Sequence, residues 1–219
     1  MKQLLFFLFF LSAILFISCQ NKCQNSQVAD LKFSDEELKI NPYTGKERLT
    51  YSSSANDNIV FPEGDRYSIE QKYFTDPNSP ESACKNNYYY GETNSMYKND
   101  GNSVFNIILI YNYTDFYRSD LRKRFDLYIF IRKLNASFNG SFIFGQDTLM
   151  RDISNNYDSI VDFQMTKVIG PRTFDKVYEL YAHNEGAKDT AWIPTVFYSI
   201  KQGLVGFKTN NGNIYYSSL

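Results

Sequence analysis

Apolar and polar residues alternate along two stretches in the middle of the chain. The odd-numbered positions from Phe105 to Tyr113 are aliphatic or aromatic, and a second alternating stretch runs from Phe125 to Ile131. Successive side chains of a strand point to opposite faces, so each stretch predicts a strand with one face in a core. Ile108 and Ile110 predict that the first strand is covered on its other face as well. The residues expected in the core are Phe105, Ile107, Leu109, Leu127, Ile129, Ile131, Val161 and Phe163.

Turn residues separate these stretches from several shorter ones. The polar run 98–102 and the pair Asn211-Gly212 are typical of turns between antiparallel strands. Asn139-Gly140 indicates a bulge or a turn, and Met165 continues the apolar stripe of Phe163. About ten short strands with turns between them predict a mainly β chain with antiparallel sheets. A sandwich, a barrel and a curved half-barrel all fit this pattern.

One short helix is expected near residues 34–40. Ser34 and Glu37 have the spacing of a capping box, in which each side chain bonds to the backbone N–H of the other residue. Asn41-Pro42 ends the helix, because the residue before proline disfavours the helical region. The predicted fold class is therefore mainly β with one short N-terminal helix.

The first twenty residues differ from the rest of the chain. Lys2 is followed by residues 4–17, which are apolar except for Ser12. This pattern predicts a secretory signal peptide, and it is too short for a membrane span of about 20 residues. Residues 16–19, Phe-Ile-Ser-Cys, resemble a bacterial lipobox with Phe in place of the usual Leu. The resemblance implies that residues 1–18 are removed and Cys19 is lipidated, with ordinary secretion and an uncleaved anchor as the alternatives.

The predicted domain organisation follows from that cleavage. Residues 1–18 are the signal peptide, and residues 19–30 comprise the lipidated Cys and a flexible tether, because they are polar and aperiodic. Residues 31–219 form a single β-rich domain, a length that buries a core without metals or crosslinks.

Three phrases of the sequence resemble phrases that occur in one known group of proteins. They are residues 41–51 (NPYTGKERLTY), 173–180 (TFDKVYEL) and 197–208 (FYSIKQGLVGFK). Each is similar to phrases of uncharacterised envelope lipoproteins of the Bacteroidota. The resemblance implies a fold with glycine turns between alternating strands, and it implies no activity. A fainter resemblance is to the curved sheets of periplasmic lipoprotein carriers, whose concave side holds acyl chains.

The same group suggests a modification and a location. Three Asp-[Ser/Thr]-apolar triplets resemble the O-glycosylation sequence of exported Bacteroidota proteins, which implies glycans on Thr148, Ser159 and Thr190. Surface-exported lipoproteins of the group carry acidic residues after the lipidated Cys, whereas residues 20–22 are Gln-Asn-Lys. We therefore expect an outer-membrane lipoprotein that faces the periplasm.

Charge and cysteine content restrict the partners. The formal net charge is −1 and the chain has no basic stripe, so nucleic acid is not an expected partner. The expected partners are the membrane, reached through the N-terminal lipid, and an unknown envelope ligand or protein. Cys23 and Cys84 form either a disulfide or two free thiols. The disulfide would close a loop of about 60 residues, which the chain-entropy model credits with at most about 4 kcal/mol.

Catalytic patterns are scarce. His183 is the single histidine, and no nucleophile elbow, phosphate loop, dinucleotide fingerprint or zinc pattern is present, so no cofactor or metal is expected. The candidate carboxylate pairs are Asp158 with Asp162 and Asp35 with Glu37. The favoured hypothesis is a membrane-anchored, non-enzymatic binding or structural module. The alternatives are a carboxylate-dependent glycan hydrolase and a half-barrel carrier of a lipid.

Overall fold

A computed structural model describes residues 26–53, 57–75, 87–115, 120–144, 150–152, 162–181 and 193–218. The chain divides into a larger compact unit, Leu31–Gln71 with Tyr90–Leu219, and a smaller one, Met1–Asp30 with Lys72–Tyr89. The strands are β1 (Ser26–Leu31), β2 (Leu49–Ser53), β3 (Asn58–Phe61), β4 (Asp65–Phe74), β5 (Asn87–Asn99), β6 (Ser103–Asp115), β7 (Asp120–Ile131), β8 (Ala136–Phe144), β9 (Met150–Asp152), β10 (Asp162–Ile169), β11 (Arg172–Tyr181), β12 (Thr195–Ser199), β13 (Gly203–Lys208) and β14 (Ile214–Ser217). The helices are α1 (Asp35–Leu38) and a 3-10 turn (Arg132–Leu134).

These strands form two seven-stranded sheets. The first has the order β1-β5-β6-β7-β8-β9, with β4 also paired to β5, and the second has the order β10-β11-β12-β13-β14-β2-β3. From β5 to β9, and throughout the second sheet, neighbouring strands are antiparallel. The predicted mainly β, antiparallel fold is confirmed, and of the three open architectures the two sheets exclude a closed barrel.

Within the larger unit, both sheets contribute side chains to one core, which makes this unit a sandwich. The fully buried aromatic residues of that core include Phe61, Phe105, Phe125, Tyr178, Tyr198 and Phe207. The predicted core residues Phe105, Ile107, Leu109, Leu127, Ile129 and Ile131 are all at most 1% exposed, which confirms them.

The third apolar stripe is only partly confirmed. Phe163 is half-buried and packs against the core, and Val161 lies outside the described residues. Met165 was expected on the same side but is 65% exposed. The register of β10 with β11 skips Met165 and the opposite Lys176, and Lys176 has φ +51°, so the alternation of the two faces is interrupted at Met165.

Two local expectations are resolved by α1 and β8. Ser34 Oγ accepts from Glu37 N, and the Glu37 carboxylate accepts from Ser34 N, so the predicted capping box is present.

Asn139-Gly140 is neither a turn nor a bulge, because β8 pairs with β7 in unbroken register through both residues. A Cβ on Gly140 would lie 2.6 Å from the Phe142 ring, so the glycine is there for space.

The smaller unit contains most of β1 and the adjoining ends of β4 and β5. β1 occupies residues 26–31, so the last part of the predicted tether is a strand, while residues 19–25 lie outside the described part. Tyr73 stacks on Tyr89 with ring centres 5.2 Å apart, and Lys72 Nζ lies 4.0 Å from the ring centre of Tyr88. No helix in the described part of the chain has the length and apolar character needed to cross a membrane.

Candidate ligand-binding site

Two of the three phrases noted in the sequence meet in the larger unit. Tyr43, from residues 41–51, accepts a hydrogen bond from Leu204 N at 2.6 Å, and Tyr51 donates to Leu204 O at 2.8 Å. The neighbouring Gly203 has φ +78°, and a Cβ there would lie 2.2 Å from the Tyr43 hydroxyl. Burial raises the pKa of both phenols, so they remain neutral hydrogen-bonding groups. Residues of these two phrases therefore fix each other's positions within the larger unit.

A polar network fixes the chain segment that follows α1. Asn41 Nδ2 donates to Asn94 Oδ1 at 3.1 Å, and Asn41 is 1% exposed. Arg66 Nη1 donates to Asn41 O at 3.0 Å and to Tyr43 O at 2.7 Å. Tyr198 donates to Ile40 O from the opposite sheet. The segment from residue 40 to residue 43 is thus held by side chains of three separate strands, two of which bond to its backbone.

Lys98 fixes the next few residues. Its side chain is fully buried, and Nζ donates to Gly45 O at 2.7 Å and to Glu47 O. The Glu47 carboxylate accepts from Thr44 N at 2.7 Å and from Gly45 N at 3.0 Å. Burial lowers the pKa of Lys98, and the Glu47 carboxylate, 3.9 Å from Nζ, partly offsets that effect. The ammonium and the carboxylate together immobilise the turn at residues 44–47.

An open pocket of about 550 Å³ lies against this framework. That volume is within the range of small-molecule sites, roughly 300–1,000 Å³. Its lining combines apolar, acidic and basic side chains: Asp35, Glu36, Leu38, Lys39, Asn41, Pro42, Arg66, Ile200 and Lys201. Among the described residues, Glu36 and Lys39 neutralise each other, whereas Lys201 has no ion-pair partner. Arg66 and Lys201 can therefore hold an anionic group while Leu38 and Ile200 contact an apolar part of the same ligand.

Of the two carboxylate pairs expected for hydrolysis, the structure describes both members only of the pair Asp35 and Glu37. Asp35 lines the pocket, but Glu37 is bonded to Lys123 and to Ser34. Partial burial pushes the pKa of Glu37 up, but the hydrogen bonds from Lys123 and Ser34 outweigh it and hold the pKa below its usual value. A general acid needs a raised pKa, so Glu37 is unsuited to that role. Asp162 is an exposed residue of β10, and Asp158 lies outside the described residues.

The other predicted site residues lie outside the part of the chain that the structure describes. They are the lipidation site Cys19, the candidate disulfide pair Cys23 and Cys84, the candidate glycosylation sites Thr148, Ser159 and Thr190, and His183. Within the described ranges, no group of three or more His, Cys, Asp or Glu side chains is placed to hold a metal ion.

Sequence reasoning did not identify Arg66 or Lys201 as site residues. Lys201 and Ile200 lie in the phrase 197–208, and Pro42 lies in the phrase 41–51. The co-occurrence of those two phrases was thus the one available signal. Arg66 carried no signal, because its role depends on the backbone carbonyls of Asn41 and Tyr43.

The chain was compared with protein families, curated proteins and solved structures. No protein-family model, no curated protein and no solved structure matches this chain.

Proposed function

We propose that the protein is an outer-membrane lipoprotein that faces the periplasm and binds a small ligand without catalysing a reaction. The ligand-binding part of this proposal is supported by the pocket of about 550 Å³, which lies against side chains that are already fixed by hydrogen bonds. A site with little freedom to lose binds more tightly, because less conformational entropy is lost when the ligand is held.

The lining favours a ligand with an anionic group and an apolar part. Arg66 is oriented by the carbonyl groups of Asn41 and Tyr43, so its remaining N–H groups are presented at little entropic cost. Lys201 is exposed and adds a second positive charge at the same pocket. Asp35 favours a ligand that also carries a donor or a cationic group.

The two alternative functions have less support. The hydrolase requires a carboxyl group with a raised pKa, and Glu37 has a lowered one. The half-barrel carrier requires a concave sheet with space for acyl chains. In the larger unit, that space is filled by buried side chains such as Phe125, Phe138 and Phe142.

The membrane anchor is tested by mass spectrometry of the full-length protein after extraction from its own membrane. We expect the measured mass to correspond to a chain that lacks residues 1–18 and carries acyl groups on Cys19. Each CH₂ of those acyl chains that is buried in the membrane adds about 0.8 kcal/mol of membrane affinity. An unmodified Cys19, or a chain that retains residues 1–18, contradicts the anchor.

The pocket is tested on the same preparation by native mass spectrometry. We expect a retained small-molecule mass that Lys201→Glu reduces at least tenfold, because the substitution repels an anionic ligand. Lys208→Glu is the matched control, since Lys208 is an exposed lysine of β13 outside the pocket. Equal occupancy in the two variants contradicts the pocket assignment.

A further inference from the structure

The outer face of the first sheet carries a regular row of side chains. The register pairs Tyr97 with Asn106, Asn106 with Tyr128, and Tyr128 with Asn139. Residues paired across antiparallel strands point to the same face. The neighbours of these residues in the chain, such as Met96, Ile107 and Leu127, point into the core, so the row faces away from it. We name Tyr97, Asn106, Tyr128 and Asn139 the tyrosine–asparagine row.

Aromatic rings and amides alternate along this row. Tyr97 is 39% exposed and Tyr128 is 38% exposed. They are separated by two strand spacings, about 10 Å, with Asn106 between them. Asn99 Nδ2 donates to the Tyr97 hydroxyl at 2.8 Å, which restricts the orientation of that side chain.

The amides of the row come from the half-buried Asn106 and the exposed Asn139. Ser95 donates to Asn106 Oδ1 at 3.4 Å, so the NH₂ group of Asn106 remains a donor without a partner among the described residues. Asn139 is exposed beside Tyr128. The next row of the same face is also uncharged and consists of Asn99, Val104, Phe130 and Ser137.

The two charges at the centre of this face compensate each other. Arg124 Nη2 lies 2.9 Å from Asp126 Oδ2, so the two central charged residues pair with each other. Single-stranded nucleic acid also stacks on aromatic side chains, but it requires a positively charged groove. The occupant that fits is uncharged, with flat apolar faces for the rings and hydroxyl groups for the amides.

We propose that the tyrosine–asparagine row binds a neutral polysaccharide. A pyranose ring presents C–H groups on its faces, which pack on tyrosine rings, and hydroxyl groups at its edge, which accept from Asn106 and Asn139. Because the four residues lie on four hydrogen-bonded strands, the spacing of the row is fixed before the polysaccharide binds.

Affinity electrophoresis of the full-length chain in gels containing soluble polysaccharides tests this inference. The probes are hydroxyethyl cellulose, xylan, mannan and dextran, with dextran sulfate as the charged comparison. We expect at least one neutral polysaccharide to retard the protein, and Tyr97→Ala and Tyr128→Ala each to weaken that binding at least tenfold. Tyr67→Ala is the matched control, because Tyr67 is a 49% exposed tyrosine of β4 outside the row. Thermal unfolding of each variant checks that the fold is kept.

Three outcomes overturn the inference: no retardation by any neutral probe, stronger retardation by dextran sulfate, or equal loss of binding in Tyr67→Ala. Tyr128→Phe, which keeps the ring, is expected to retain binding within about threefold of the original protein. Lys201→Glu is expected to leave polysaccharide binding unchanged, so failure at this row and failure at the pocket are separate results.

Discussion

The two faces of β7 use the same backbone for different purposes. Leu127 is fully buried, and the next residue, Tyr128, is 38% exposed. On the inner face, Phe125 packs against Tyr198 of the opposite sheet with ring centres 5.0 Å apart. The outer face carries Asp126, Tyr128 and the half-buried Phe130. We therefore expect the inner positions to determine stability and substitutions at the outer positions to change it little.

The sharpest test of this difference compares two neighbouring substitutions. Leu127→Ala leaves a cavity in the core and is expected to lower the free energy of unfolding by about 2–5 kcal/mol. Tyr128→Ala removes only cross-strand contacts, with an expected loss of about 0.2–1 kcal/mol. Urea unfolding, monitored by fluorescence, measures the free energy of unfolding of both variants. Losses of equal size would show that the outer face is part of a packed interior.

A second test compares an inward glycine with one that faces open space. Gly203 and Gly212 both have positive φ, which costs a non-glycine residue about 1–2 kcal/mol. Only at Gly203 would a Cβ collide with Tyr43, and such overpacking adds about 1–3 kcal/mol. Gly203→Ala is therefore expected to lower the melting temperature clearly more than Gly212→Ala. Similar melting temperatures for the two variants would contradict the contact with Tyr43.

A third and weaker effect concerns Lys123, a charged residue near the start of β7. Lys123 of β7 pairs with Glu37 and lies over the Tyr111 ring, with Nζ 4.9 Å from its centre. The pKa of Glu37 is lowered in the folded state, so its stabilising effect is present above the unfolded value of 4.5 and is lost as the pH falls below it. The expected contribution is about 0.2–1 kcal/mol.

Glu37→Gln is therefore expected to flatten the dependence of stability on pH between about 5 and 3. The matched control is Glu36→Gln, an exposed position of the same helix that is not bonded to Lys123, and we expect a larger change of slope in Glu37→Gln than in this control. The measurement is urea unfolding at a series of pH values. An unchanged slope in Glu37→Gln would show that the pair with Lys123 adds no stability.

Local patterns predicted the elements whose causes are local. The stripe of Phe105, Ile107 and Leu109 predicts its own burial, because alternation along one strand is sufficient to place a face in a core. Ser34 and Glu37 form a capping box because both partners lie within four residues. Such features require no knowledge of the rest of the fold.

Long-range features were beyond the same reasoning. Lys98 belongs to a polar run that predicts a turn, yet it lies in β5 and is fully buried, because the carbonyl groups of Gly45 and Glu47 accept from it. The pocket combines α1 with Arg66 and Lys201, which no sequence spacing connects. Asn139-Gly140 was interpreted as a turn or a bulge from its sequence. The real reason for the glycine is that the Phe142 ring leaves no space for a side chain, and this contact depends on the folded structure.

The pairing of β2 with β14 has a consequence for biosynthesis. Ser52 and Ser218, whose hydroxyl groups lie 2.9 Å apart, are 166 positions apart in the chain. The second sheet therefore cannot be completed until residues 214–217 of β14 have been synthesised. Contacts between such distant residues also make folding slow. During that interval the unpaired edge of β2 can pair with other chains, so completion of the second sheet competes with aggregation.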